Sequence, residues 1–215
     1  KQETQNQYIG IINSEAKRLT HLIDDFLDIQ RMESRKYSLY KQVNSLDQLI
    51  VEAIKLFDDA KTKHQIVYSK DEGLNPIIYC DRDKILQVLA NLLSNAIKYS
   101  PGGGKIVVSL TMEKDRLVVS VSDHGLGIPN EVQHKLFGKF FRVQTEEHRR
   151  VEGTGLGLAI CQEIIKAHRG EIGVTSTYGL GSTFYFSLPQ AAFLEHRVGI
   201  GKPDKLTSEQ DALGK

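Results

Sequence analysis

Residues 91–100 read Asn91-Leu92-Leu93-Ser94-Asn95-Ala96-Ile97-Lys98-Tyr99-Ser100, and this stretch, taken with three glycine-bearing stretches downstream, decides the fold. It is the second half of a helix that Asp81 can cap and that carries Ile85, Val88, Leu89, Leu92, Ala96 and Ile97 at helical spacing. Asn91, Asn95 and Lys98 recur at i, i+4 and i+7 and so share one face. Two carboxamide oxygens and an ammonium on one stripe suit a magnesium–polyphosphate ligand, with oxygen for the metal and charge for the phosphate. Taken alone, the stripe reads equally well as a solvated polar face.

Working outward, Lys105 to Met112 and Arg116 to Ser122 alternate as the strands of a hairpin, with Glu113-Lys114-Asp115 as its turn. The second strand runs into Asp123-His124-Gly125-Leu126-Gly127-Ile128. A carboxylate at a strand end can accept a hydrogen bond from an exocyclic amine, and the glycines let backbone approach a flat ring. A tight turn is the plainer alternative. Next, Gly153-Thr154-Gly155-Leu156-Gly157-Leu158 leads straight into a helix from Leu156 to His168. Free N–H groups and the positive end of the helix dipole make an anion site there. This is not the dinucleotide fingerprint, because Leu158 stands where GxGxxG needs its last Gly. A P-loop is absent too, since Gly102-Gly103-Gly104-Lys105 is followed by Ile106. Gly179-Leu180-Gly181-Ser182-Thr183-Phe184 opens the last strand, Thr183 to Leu188, after the strand Glu171 to Ser176. Between the first two glycine stretches lie Phe137-Gly138-Lys139-Phe140-Phe141-Arg142 and then Val143 to Glu152, polar and charged as a mobile lid would be.

Upstream, Gln65 to Ser69 and Ile77 to Cys80 read as strands, and Ser45-Leu46-Asp47-Gln48 opens a helix carrying Leu49, Ala53, Ile54 and Phe57. Strand hairpins with helices between them predict an α+β sandwich, a mixed sheet covered on one face by helices, over residues 37–190. Residues 1–36 differ. Ile9, Ile12, Ala16, Leu19, Ile23 and Phe26 form a heptad seam, widened by Leu22, Ile29 and Met32 to the stripe of a bundle helix. Such a face calls for partner helices, although a long helix packed on its own globular part is the plainer reading. Residues 191–215 are poor in apolar content and predict a flexible tail.

Composition narrows the function classes. The 215 residues carry 28 Lys plus Arg against 27 Asp plus Glu, a net charge of +1, which argues against binding nucleic acid by bulk charge. Two cysteines, Cys80 and Cys161, exclude a disulfide scaffold or Cys-rich zinc site and fit a reducing compartment. No apolar run reaches the roughly 20 residues of a membrane helix. A cytoplasmic location is expected, with a membrane-anchored parent left open.

In order and spacing the clusters resemble the asparagine box, the first glycine box, the phenylalanine box and the second and third glycine boxes of the sensor histidine kinases, over roughly Tyr37 to Pro189. The heptad helix, ending Leu27-Asp28-Ile29-Gln30-Arg31-Met32-Glu33, resembles the second helix of that family's dimerisation and phosphotransfer hairpin. The resemblance implies the Bergerat ATP-binding sandwich shared with gyrase and mismatch-repair ATPases. It implies ATP and Mg2+ as cofactors, a response regulator as partner, and a homodimer through the N-terminal helix. It also implies roles: Asn95 ligates Mg2+ with support from Asn91, Lys98 touches phosphate, and Tyr99 stacks on adenine. Asp123 accepts the adenine N6 hydrogen, Gly125 and Gly127 admit the base, and Arg142 approaches the γ-phosphate. Gly153, Thr154, Gly155, Leu156 and Gly157 hold the phosphate chain, and Thr183 sits near adenine.

The departure is the acceptor. None of the seven histidines has the family's phospho-accepting context, an acidic, then a basic residue and a Pro. His21 lies on the heptad helix, but that helix resembles the second of the hairpin, not the first. His124, His134 and His148 are expected exposed near the nucleotide, and His64, His168 and His196 have no clear role. Two other readings stand beside the kinase: a non-catalytic dimeric ATP-binding scaffold, and a gyrase-type hydrolysing switch, whose members carry Glu where Asn91 stands.

Overall fold

The computed structural model describes residues 2–33, 38–58, 63–149, 151 and 153–190. The expected tail at 191–215, with His196, lies outside them, as do the side chain of His21 and that of Met32.

Chain order is α1 (Gln2–Glu33), β1 (Gln42–Ser45), α2 (Leu46–Lys55), β2 (His64–Lys70), β3 (Ile77–Cys80), α3 (Arg82–Lys98), β4 (Gly104–Glu113), β5 (Arg116–Asp123), α4 (Asn130–Gln133), α5 (Glu146–Arg149), α6 (Gly157–Ala167), β6 (Glu171–Thr177) and β7 (Gly181–Pro189). The five-stranded sheet runs β2-β4-β5-β7-β6. Only the β2–β4 pair is parallel, so the sheet is mixed, as expected. Short β1 pairs with β3 in a separate ribbon. Its four residues, Gln42-Val43-Asn44-Ser45, are too few and too polar to announce a strand.

Alternation gives the sheet two faces. Ile106, Val108 and Leu110 of β4, Leu117, Val119 and Val121 of β5, and Phe184, Phe186 and Leu188 of β7 are buried toward the helices. The other face is polar: Ser109 and Ser120 hydroxyls lie 2.6 Å apart and those of Ser122 and Thr183 lie 2.9 Å apart. Covering the apolar face, α3 presents Ile85, Val88, Leu89, Leu92, Leu93 and Ala96. α6 adds Ile160, Cys161, Ile164 and Ile165, and α2 adds Leu46, Leu49, Ile50 and Ala53. Each buried Leu or Ile contributes about 1.5–3 kcal/mol.

The junction of these helices is Asp81. Its Oδ1 accepts from Lys84 N to cap α3, its Oδ2 accepts from Tyr40 N at 2.9 Å, and its own N–H donates to His168 Nε2 at 2.9 Å. His168 Nδ1 faces the Ile164 carbonyl at 2.8 Å, so the buried ring pins the end of α6 to the start of α3. His64, also buried, bonds the Ser100 carbonyl at 3.0 Å. Two histidines with no evident role in the sequence are thus core connectors. Both cysteines are free and buried, and burial pushes their thiols up, Cys80 to about 12.

Along α1, Ile9, Ile12, Leu19, Ile23 and Phe26 are exposed, but the seam residue pattern breaks near the C-terminal end. Ile29 is 4% exposed and belongs to the core, and Asp28 accepts from Lys84 Nζ at 3.0 Å and Gln87 Nε2 at 3.2 Å. Ile29, read as part of the partner-seeking stripe, instead packs on the chain's own globular part. Among the described residues no helix is long and apolar enough to cross a membrane.

Candidate nucleotide site

One cavity of about 560 Å3 lies where α3, the β5 end, the lid and the start of α6 converge. α3 contributes Asn91, Ser94, Asn95, Lys98 and Tyr99. The expected polar stripe therefore faces a cavity rather than bulk water. Asn95 Nδ2 donates to Asn91 Oδ1 at 3.1 Å, which fixes both amides and leaves Asn95 Oδ1 for an electropositive ligand. Tyr99 ends the helix, and burial raises its phenol.

Asp123 occupies the last place in the inward row Leu117, Val119, Val121, where an apolar side chain would complete the pattern. It is only 6% exposed. Gly125 N donates to its Oδ1 at 2.8 Å, and Ser100 Oγ and the Ser182 N–H also face it. Burial nevertheless outweighs these hydrogen bonds and pushes its carboxyl above the usual range. A carboxylate has lone pairs enough to accept a further donor from the cavity.

The glycines beside it, expected to admit the base, are also packed closely against backbone. A Cβ on Gly125 would fall on the Tyr99 carbonyl oxygen, and one on Gly127, at φ 62°, on the Thr177 carbonyl. They let backbone meet backbone: Leu126 N donates to Tyr99 O at 2.9 Å and Gly179 N to Leu126 O at 2.8 Å. Gly127 borders the cavity and Gly125 does not. Thr183 departs from expectation. It pairs with Ser122 on the sheet's polar face, while Ser182, the register partner of Asp123, and Phe184 line the cavity. Strand alternation turns successive residues to opposite faces, so the inward residue is Ser182.

At the other end, Gly153, Thr154, Gly155, Gly157 and Leu158 line the wall. α6 starts with no side-chain cap, so first-turn N–H groups remain for an anion. Leu156 differs: its side chain is fully buried and its N–H donates to Thr154 Oγ1 at 3.2 Å, not to the cavity. Gly157 has no room for a Cβ because the Asn91 amide fills that place, which brings α6 against α3. Arg142 lines the cavity, but its guanidinium donates to lid carbonyls, His148 O at 3.5 Å and Val151 O.

Sequence reasoning assigned no role to several lining residues. Asp25 of α1 accepts from Thr154 Oγ1 at 3.3 Å, a contact between residues 129 apart that no local pattern announces. Ser94 is inside the quoted asparagine stretch at i+3, a signal that was available. Ile128, Leu136 and Phe141 supply apolar wall. His148, expected exposed, is buried with its ring centroid 5.5 Å from that of Tyr99. His124 and His134 are exposed as expected.

Residues 80–192 match the family model for the histidine kinase-, DNA gyrase B-, and HSP90-like ATPases. The chain belongs to this ATPase family. It is 35% identical over 185 residues to the sensor histidine kinase WalK of Bacillus subtilis (strain 168), covering 85% of this chain and 30% of that protein. Of solved structures, full-length ShkA in complex with AMPPNP superposes with a TM-score of 0.74 at 26% identity, over 86% of this chain and 38% of that one. Histidine kinase ThkA in complex with response regulator protein TrrA gives 0.67 at 31% identity, over 86% and 51%. The chain spans between 26% and 50% of the length of eight of the curated relatives it matches, which are named as histidine or sensory kinases.

Proposed function

We propose that this chain is the catalytic part of an ATP-dependent protein-histidine kinase, with residues 37–190 as the ATP-binding catalytic domain and 1–36 as the dimerisation helix. The observation that carries it is the buried Asp123 carboxylate at one end of a cavity whose other end gathers Asn91, Asn95, Lys98 and the uncapped start of α6. Asp123 receives the adenine amine, the glycine loop and Lys98 take the phosphates, and Arg142 orders the lid. The paired Asn91 and Asn95 amides offer oxygen to Mg2+, a hard cation that keeps its other places for phosphate and water. When bound, Mg2+ neutralises phosphate charge. The chain's own residues position the γ-phosphoryl, whose bond to the β-phosphate oxygen breaks as one forms to a histidine nitrogen. Asn91 takes no proton from water, so hydrolysis of the gyrase kind is slow. The phosphohistidine then passes its phosphoryl to a response regulator, and two copies associate through the exposed seam of α1.

Incubation with γ-labelled ATP, alone and with a helical hairpin bearing an acceptor histidine, tests this. Acid-labile label is expected on the added hairpin and none on the chain. No label on the hairpin, or no binding of ATP, would overturn it, and stoichiometric phosphohistidine at His21 would overturn the expectation that the acceptor lies outside this chain.

A further inference from the structure

The lid carries a ring that none of the sequence motifs accounts for. His148 is 4% exposed and borders the cavity with Tyr99, Asp123 and Gly127. Its imidazole meets the Tyr99 phenol at a centroid distance of 5.5 Å and an interplanar angle of 34°. Thr145 Oγ1 lies 2.6 Å from its Nδ1. Arg142 donates to the His148 carbonyl, and Val151 N closes the turn on the same carbonyl at 3.2 Å. The neighbouring Glu147 accepts from Tyr178 Oη at 3.3 Å, tying this turn to the β6–β7 connection. The ring is held by Thr145 at Nδ1 and by a hydrogen bond with the Gly127 backbone.

Two faces that sandwich a flat base stand about 7 Å apart, twice the ~3.5 Å of carbon atoms in contact. Tyr99 and His148 are closer than that, so no base lies between them. With the rings together the cavity still measures about 560 Å3, inside the range of about 300–1,000 Å3 for small-molecule sites. The ring pair is a wall of the cavity and not a plug.

We propose that His148 is a base-contacting residue supplied by the lid: Tyr99 and His148 form one aromatic corner against which the purine of ATP lies, so that base contact and lid closure are a single event. The inference rests on the nucleotide reading above. A ligand with three phosphates and no base engages the other end of the cavity and adds nothing to the hold that Thr145, Arg142 and the Glu147–Tyr178 contact already give the lid.

The test titrates ATP and inorganic tripolyphosphate, each with Mg2+, into wild type, His148→Ala and His148→Phe, and follows tryptic cleavage after Arg149. His148→Ala is expected to weaken ATP about 2- to 10-fold, the scale of one ring contact, and to leave tripolyphosphate unchanged. His148→Phe, which keeps a ring, retains most of the ATP affinity. ATP protects Arg149 in wild type, tripolyphosphate does not, and the Ala variant loses the protection. Equal weakening of both ligands marks a mere lid strut and overturns the proposal. So does unchanged ATP affinity, or tighter ATP binding, which would mean that the ring stands in the base's place. A wild type that binds no ATP overturns the nucleotide reading itself, an outcome distinct from all of these.

Discussion

At the Asp123 end of the cavity, backbone meets backbone. The Gly125–Gly127 turn is stitched to the carbonyl of Tyr99, which caps α3, and to the β6–β7 connection at distances only glycine permits, and Asp123 rides on the central strand of the sheet. At the α6 end, side chains meet instead: the Asn91–Asn95 amide pair, Thr154 and Asp25, the last from a helix 129 residues away in the chain. The first arrangement leaves little room for displacement, which suits the base-reading role proposed for Asp123. The second is held by individual hydrogen bonds of about 0.5–1.5 kcal/mol each, which can be exchanged for a phosphate and its counterion.

The sharpest way to break the contrast is Gly125→Ala. The added methyl meets the Tyr99 carbonyl, and the expected loss is about 3 kcal/mol or more of folding stability in urea denaturation. Next is Asp123→Asn, which keeps the shape but removes the charge. Adenine presents an amine where guanine presents a carbonyl oxygen, so this variant is expected to lose about 30- to 100-fold in ATP affinity and to narrow the ATP-to-GTP ratio. An unchanged ratio would mean that the base is read elsewhere.

His168→Leu probes the frame that sets α6 against α3. It leaves the Asp81 N–H without its acceptor and is expected to cost about 1–3 kcal/mol. Burial holds the His168 pKa below the ordinary value, and the same is true of His148. The unfolded chain therefore binds more protons than the folded one at mildly acid pH. Stability should fall as pH drops through about 6.5 toward the lowered folded values, and this slope should be shallower in His168→Leu. Thermal midpoints between pH 7.5 and 5.5 measure it.

Smaller effects belong to the α6 end. Asp25→Asn removes a negative charge from the wall that phosphates approach and should tighten ATP about 2- to 3-fold at low salt, with the gain fading as salt is added. Gly153→Ala is the counterpart to Gly125→Ala. Nothing lies within 4 Å of its added methyl, and stability should change by less than about 0.5 kcal/mol. A large loss there would erase the difference between the two ends.

What the sequence disclosed follows the same division. The polar stripe on α3 and the strand ending in Asp123 are local patterns with periods of 3.6 and 2, and the glycine entry to α6 is a contiguous run, so all three are legible as elements, while their meaning as one site comes from the family resemblance. The fold class followed from their alternation. That Ser182 turns inward and Thr183 outward is not legible in the sequence, because strand phase is fixed by register against Asp123. The glycines were seen, but their neighbours were not, since Tyr99 and Thr177 approach Gly125 and Gly127 through tertiary contact. Asp25 and Ile29 were hidden for a related reason: a heptad pattern names an apolar face without saying which surface covers each turn. His148 sits in a charged segment whose composition points to solvent, and only the fold encloses it.

α3 also joins two contacts that look unrelated. Lys84 and Gln87, which hold Asp28 of α1, stand in the same lengthwise row as Asn91, Asn95 and Lys98. The helix is a rod of 17 residues, roughly 25 Å long at ~1.5 Å per residue, fixed to the sheet along its apolar side. α1 thus touches the molecule at two places along its length, at Lys84 and Gln87 near the start of α3 and at Thr154 beside the cavity. One continuous face of α3 carries both the anchorage of the N-terminal helix and the polar row that lines the cavity, so the two share a single rigid support.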